Sequence, residues 1–273
     1  MKKLTLIKIL LVLGFIVSGL LIYFGHQVIE EHWVVTNEAE EINEKGLEVY
    51  NEFINNVTET TSAEIVPVET DENGTIINVN LGIQEGKGFI EALRKKYNNE
   101  EVVGYLVIED YNIYTPILYK DGDVQYYLRH NAYGEYSYNG SVFLDSGCAP
   151  DFIYAGNIVY GHNMLDGQMF GRLEKCVNDL GVDGVKVVIY TDSERLVYEV
   201  LAAGPLTSMD RQELLAKEEP EEGYFANLYK EKYGYTLQKE YPSYLTLITC
   251  YYKDSSKPRY GLTCGLVLRD KYE

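Results

Sequence analysis

From Leu4 to Phe24 the chain is apolar at almost every position, interrupted only by Lys8 and a few small residues. A run of about 20 such residues can cross a bilayer as a helix. Lys2, Lys3 and Lys8 stand at or before its start, and Glu30, Glu31, Glu38 and Glu40 follow it. By the positive-inside rule the N-terminus stays cytoplasmic and the chain beyond about residue 25 lies outside. No small-x-small cleavage pattern precedes Glu30, which favours an uncleaved anchor over a removed signal peptide.

After the anchor the spacing becomes helical. Leu47, Tyr50, Ile54 and Val57 fall three and four apart with acidic residues between them, predicting an amphipathic helix within residues 26 to 60. Asn37, with Glu40 three residues later, resembles its start. Thr58 to Gly74, rich in Thr, Glu and Asn, reads as loop or linker. A second helix is predicted from Gly88 to Tyr97, with Phe89, Leu93 and Tyr97 on one face.

Beyond Asn99 the pattern changes to short β-branched and aromatic runs separated by turn residues, at 102–108, 114–119, 140–145, 157–161, 185–191, 196–204, 244–250 and 262–269. Eight such strands predict a closed or nearly closed β-barrel, a mainly β fold with helices. Two helical insertions interrupt the series. In the first, Met169, Leu173, Cys176, Val177 and Leu180 form one apolar stripe after a cap at Asp166, which makes Cys176 a core residue. The second, roughly Asp210 to Tyr233, is acidic and Tyr-rich and lies between strands six and seven. The organisation read from these patterns is an anchor at 1–25, an extracellular helical and linker region at 26–99, and a barrel domain at 100–273.

Composition narrows the function. With 273 residues and 46% hydrophobic content the chain can bury a sizeable core. A net charge of −18, from 42 acidic and 24 basic residues, excludes nucleic acid as a natural partner, since phosphates require basic patches. The four cysteines, Cys148, Cys176, Cys250 and Cys264, face an environment that permits disulfides, yet their spacing forms neither a disulfide framework nor a CxxC metal site.

One stretch stands apart: LTLITCYYKDSSKPRYG, Leu245 to Gly261, in which a strand ends on cysteine and the chain resumes after an arginine. A cysteine nucleophile needs a base or cation nearby, because the thiolate is the reactive species. Of the four histidines, His26 and His32 adjoin the anchor and His130 lies in a Tyr-rich stretch, whereas His162 directly follows the strand NIVYG. Strand ends on a rigid scaffold suit catalytic groups. If the strands flanking the eight-residue loop YYKDSSKP pair as a hairpin, Cys250 and Arg259 come to the same edge. Arginine there stays charged and offers five donors to a carbonyl or oxyanion. Spacing alone leaves the plainer readings open: a small buried cysteine, a turn histidine, and an arginine paired with a surface acid.

The segments GYLVIED, YTPILY, YYLRHN, GSVFLD, NIVYGHNMLDGQMFGRL, LTLITC and KPRYG follow, in order, the pattern of the sortases, and most closely resemble class B over about residues 88 to 270. The most specific parts are YGHNM with DGQMF, and TLITC with its downstream arginine. This resemblance implies a membrane-anchored cysteine transpeptidase on an eight-stranded barrel, with His162 as general acid and base, Cys250 as nucleophile and Arg259 as oxyanion and substrate stabiliser. Asn163, Thr246, Ile248, Thr249 and Tyr251 are the residues expected to contact substrate. The implied partners are the sorting-signal peptide of exported proteins and an amine, from a peptidoglycan precursor or a pilin lysine; no metal or organic cofactor is implied. Two departures bear on specificity: Ile248 replaces the serine frequent in class B, and Tyr251 and Tyr252 follow the nucleophile. Outside the family, the residues also fit a secreted cysteine peptidase or an anchored interaction module with an inert site.

Overall fold

The computed structural model describes residues 2–55, 69–70, 76–78, 86–207, 210–215, 221–250, 253 and 256–272, without the side chains of 2–16, 28–36, 55, 69–70, 76–78 and 233. Contacts divide the chain into two compact units, Met1–Glu40 and Glu41–Glu273.

Helix α1 runs from Lys2 to Tyr50 and ends in a π turn, Asn51–Asn55. The expected helix start at Asn37 is therefore incorrect: no proline stands between residues 2 and 50, and a capping pattern inside a run of good helix formers does not stop the helix. Val57 lies outside the described residues. Among the described residues no helix is long and apolar enough to cross a membrane. Residues 4–16 of the expected span lie outside the described side chains. Within the stretch read as a linker, Glu69–Thr70 pairs antiparallel with Ile76–Asn78. Helix α2, Phe89–Tyr97, buries Phe89, Ile90, Leu93 and Tyr97, the face its spacing predicts.

Eight strands follow: β1 (Val102–Ile108), β2 (Ile113–Leu118), β3 (Val142–Leu144), β4 (Gly156–Tyr160), β5 (Lys186–Tyr190), β6 (Glu194–Leu206), β7 (Tyr244–Cys250) and β8 (Arg259–Lys271). They close into a barrel in the order β8-β6-β5-β1-β2-β3-β4-β7. The pairs β2–β3 and β4–β7 are parallel. Each expected strand is present, but β3 is shorter than 140–145 and starts later, because Gly140, at φ +60, closes a turn with its N–H on the Ser137 carbonyl.

Helix α3 (Leu173–Leu180) lies between β4 and β5. Asp166 does not cap it. Its carboxylate accepts the Gln168 N–H at 2.9 Å in a separate turn, and Arg172 occupies the capping position. Cys176, expected in the core, is only half-buried, and Met169 sits outside the helix at φ +49. The insertion between strands six and seven holds α4 (Arg211–Leu214) and α5 (Tyr224–Tyr233).

The strands read as near-continuous apolar runs because both of their faces are buried. Alternate residues such as Leu106, Ile117, Val159, Leu247 and Leu262 fill the barrel. On one outer face, Tyr105, Val107 and Tyr190 pack against Val49 and Tyr50 at the end of α1 and Phe89 and Leu93 of α2. On another, Ile158, Tyr244 and Ile248 pack against Leu214, Phe225 and Tyr229 of α4 and α5. Each fully buried side chain of this size contributes about 1.5–3 kcal/mol. The second cluster thus fixes α4 and α5 to β4 and β7, two of the strands that carry the site, while the first fixes α2 and the end of α1 to β1 and β5.

Candidate active site

Strand β7 lies between β4 and β8, and its parity sends Leu245 and Leu247 into the barrel while Tyr244 and Ile248 face the insertion. Cys250 ends that outward row, half-buried. Across the β7–β8 hairpin Arg259 is the register partner of Cys250. Its Nη1 stands 3.8 Å from Cys250 Sγ and donates to the Pro258 carbonyl at 3.2 Å. The expected juxtaposition of cysteine and arginine is present.

His162 arrives from the other side. The parallel β4–β7 ladder ends at Tyr160 opposite Ile248, and Gly161 N–H donates to the Ile248 carbonyl at 3.1 Å. The chain then leaves the sheet in a loop closed by Phe170 N–H on the His162 carbonyl at 3.1 Å and by a bridge between Asn163 and Met169. The imidazole Nε2 lies 3.1 Å from the Leu128 carbonyl. A carbonyl only accepts, so Nε2 carries the proton, and in the neutral ring Nδ1 is the bare nitrogen. Burial pushes the His162 pKa below 6.5; the cations of Arg129 and Arg259 push the same way, and the Leu128 hydrogen bond opposes them. His162 is accordingly neutral at pH 7 and available as a base.

Cys250, His162 and Arg259 line one cavity of about 200 Å³ together with Leu128, Ile248 and Thr249. Of the residues expected to contact substrate, Ile248 and Thr249 thus line the cavity; Thr249 Oγ1 is buried and makes no hydrogen bond among the described residues. Thr246 is 2% exposed and does not line this cavity. Tyr251, and Tyr252 beside it, lie outside the described residues. Asn163 does not line the cavity; its Nδ2 donates to the Cys250 carbonyl at 2.8 Å.

Three features of the site carried no recognisable sequence signal. One is the Leu128 carbonyl, a backbone group. The others are Arg211 and the fully buried Asp145. Arg211 lines the cavity and sends Nε and Nη2 to the Asp145 carboxylate, each at 2.5 Å. Asp145 also accepts from Gly147 N–H at 2.8 Å and Tyr160 Oη at 3.0 Å. Asp145 ends the segment GSVFLD, but nothing in spacing ties it to an arginine in the insertion. Among the described residues the four cysteines form no disulfide, and burial pushes the Cys264 thiol far up, leaving it inert. Among the described residues no group of three or more His, Cys, Asp or Glu is placed to hold a metal ion.

A half-buried thiol, a neutral imidazole with a bare nitrogen and a guanidinium meeting at the mouth of a closed β-barrel define a thiol-nucleophile site suited to acyl transfer. The family model for the sortase domain matches residues 106–267. The chain belongs to the sortase family. It is 37% identical to the curated Sortase B of Listeria monocytogenes over 131 residues, 48% of this chain and 49% of that protein, and so spans about half the length of this relative. The solved sortase B from Listeria monocytogenes aligns at 28% identity and TM-score 0.52, covering 64% of this chain and 99% of that one. A Staphylococcus aureus sortase B–substrate complex aligns at 17% identity and TM-score 0.61 over 88% of this chain and 99% of that one, a likeness of fold alone. The resemblance to class B read from YGHNM and TLITC is borne out by these relatives, as is the eight-stranded barrel with helices between strands six and seven.

Proposed function

We propose that this chain is a sortase B-type cysteine transpeptidase that cleaves the C-terminal sorting signal of exported proteins and joins them to a peptidoglycan amine. The observation that carries this reading is the convergence of Cys250, His162 and Arg259 on one cavity. Cys250 Sγ attacks the scissile carbonyl while its proton passes to His162 Nδ1, the bare nitrogen. Arg259, whose Nη1 already reaches Sγ, stabilises the oxyanion that forms beside it. Collapse of the tetrahedral intermediate breaks the C–N bond; the departing amine takes the proton from Nδ1 and leaves a thioester. The acceptor amine then attacks, gives its proton to Nδ1, and the thiolate departs to be reprotonated by His162.

The apolar run Leu4–Phe24 supports a single-pass anchor with the barrel on the extracellular side. Leu21, Ile22 and Phe24, 68%, 73% and 56% exposed on α1, are side chains that a lipid phase would cover. The deciding experiment is transpeptidation of a sorting-signal peptide library by the full chain, with a peptidoglycan-stem amine and a lysine peptide offered together and products identified by mass. Amide products with the stem amine support the reading. Isopeptides with lysine alone indicate pilin polymerisation, and hydrolysis alone indicates a peptidase.

A further inference from the structure

The loop that carries His162 is tied down on both of its arms. Among the described residues, two hydrogen bonds join 163–169 to other elements: Asn163 Nδ2 donates to the Cys250 carbonyl on the outgoing arm, and Gln168 Oε1 accepts from Asn43 Nδ2 on the returning one. Asn43 stands on α1, 125 residues earlier in the chain. Close packing fixes its place. Tyr97, fully buried, donates Oη to the Ile42 carbonyl at 2.7 Å, and a Cβ on Gly46 would lie 2.7 Å from that same hydroxyl, so the missing side chain lets α1 come this near. The returning arm is also where the loop is strained. Met169, next to Gln168, holds φ +49, and Phe170 beyond it donates its N–H to the His162 carbonyl at 3.1 Å. A residue other than glycine keeps such a backbone only where its surroundings constrain it, and the Asn43 amide supplies one such constraint.

On the far side of the imidazole, the Leu128 carbonyl belongs to a hairpin with supports of its own. Asn99 Nδ2 donates to the Ala132 carbonyl at 2.9 Å and to Tyr127 Oη at 3.0 Å, and Lys45 Nζ, from the same turn of α1 as Asn43, donates to Tyr133 Oη at 2.7 Å. Release of Gln168 would therefore let the histidine's loop shift against a carbonyl that stays in place. The bond at stake is the one from His162 Nε2–H to the Leu128 oxygen, which leaves Nδ1 bare. We infer that Asn43 is a positioning residue for His162: through Gln168 it holds the returning arm of the loop and so keeps the imidazole in register with the Leu128 carbonyl. The end of the N-terminal helix thereby sets the tautomer of the base. This assignment rests on the transpeptidase reading above.

The test uses the full chain, the best peptide from the library above, and nitrogen-15 shifts of His162. Asn43→Leu, near-isosteric but without the amide, should lower kcat by about fivefold or more with KM within about twofold, since small displacements of a reacting group are costly. The His162 shifts should move from the Nε2–H pattern toward a mixture of tautomers. Asn43→Asp and Gln168→Glu each leave one amide facing one carboxylate, and an amide can turn to donate, so each should keep at least about half of the wild-type kcat. The double variant Asn43→Asp with Gln168→Glu sets two carboxylates against each other and should fall at least as far as Asn43→Leu. Its loss should exceed the product of the two single losses, the mark of a direct contact. Unchanged kcat in Asn43→Leu, a kcat loss without any change in the His162 shifts, or a double variant that equals the product of its singles would overturn the assignment while leaving the transpeptidase reading intact. A wild-type chain that turns over no peptide would overturn that reading, and the assignment with it.

Discussion

The side-chain amide of Asn163 donates to the backbone carbonyl of Cys250 at 2.8 Å. It extends the β4–β7 ladder by one rung after the backbone of β4 has turned away, and so ties the residue beside His162 to Cys250. The contact suits Asn163 to positioning Cys250 in the proposed mechanism. Asn163→Ala is expected to lower kcat by about tenfold to a hundredfold with KM little changed, because small displacements between reacting groups are costly. Stability should fall by about 1 kcal/mol, the net worth of one hydrogen bond. Asn163→Asp, which removes the donor at constant shape, should lose as much kcat. Separate kcat and KM values decide the matter: a rise in KM alone would return Asn163 to a substrate-contact role.

The four thiols should separate by reactivity. Cys250 is half-buried on the cavity, whereas Cys148 and Cys264 are 4% and 0% exposed. Burial raises the pKa of the half-buried Cys176 as well. Brief iodoacetamide treatment, read by intact mass and peptide mapping, should therefore modify Cys250 first and leave Cys148 and Cys264 untouched until the chain unfolds. Cys250→Ala should abolish turnover and leave the thermal transition nearly in place. A large drop in melting temperature would mark Cys250 as a packing residue.

How much of this was legible in the sequence depends on whether a local period or a short loop carried the information. The barrel strands are readable because each is a short apolar, β-branched or aromatic run bounded by turn residues, and Cys250 meets Arg259 because only eight residues separate them in a hairpin. His162 is readable as a strand end. By contrast, the Leu128 carbonyl meets His162 across 34 residues, Asn163 meets Cys250 across 87, and Arg211 meets Asp145 across 66. Such contacts are set by barrel closure and by how α4 packs, and no periodicity encodes them. The misplaced helix start at Asn37 has the opposite cause: a local cap pattern was overridden by the helix formers around it.

The acid limb of activity should lie below pH 6.5. The unfolded imidazole titrates near 6.5 and the folded one lower, first because it is buried and then because Arg129 and Arg259 repel its proton. As pH falls through this window the unfolded state binds the proton first, so the stability linked to His162 is complete above 6.5 and is lost as pH drops through the lower folded value. In the proposed mechanism turnover needs a bare Nδ1, so activity should follow the folded value. Arg129→Gln removes one repelling cation and should move the acid limb of kcat/KM upward. Because Arg129 is exposed, added salt should shrink that difference. A limb at or above 6.5, or one indifferent to Arg129, would contradict this account of the histidine.

Arg259→Lys should cost about a hundredfold to a thousandfold in kcat, the scale of losing one oxyanion donor. A lysine keeps the charge, but it lacks the rigid planar guanidinium whose Nη1 reaches both the Pro258 carbonyl and Cys250 Sγ. Comparing kcat with the pH profile separates geometry from charge: an unshifted profile with a large kcat loss identifies the guanidinium geometry as the essential feature. Full activity in the lysine variant would reduce Arg259 to a bystander.

The same coupling reaches back into the fold through Gly140. This residue stands at φ +60, where a Cβ is strained, and a Cβ there would lie 2.5 Å from the Tyr127 carbonyl and 2.6 Å from that of Leu128. The Leu128 oxygen is the acceptor that fixes the His162 tautomer. Gly140→Ala is therefore expected to destabilise the chain by about 1–3 kcal/mol through backbone strain and, separately, to displace the carbonyl that holds Nε2–H. Losing that hydrogen bond removes the one influence that raises the His162 pKa, so the folded value should fall further and the neutral ring should populate both tautomers. Nitrogen-15 shifts of His162 report the tautomer, and the melting temperature reports the strain. A variant that loses stability but keeps Nε2–H and full kcat would show that Leu128 does not orient the base.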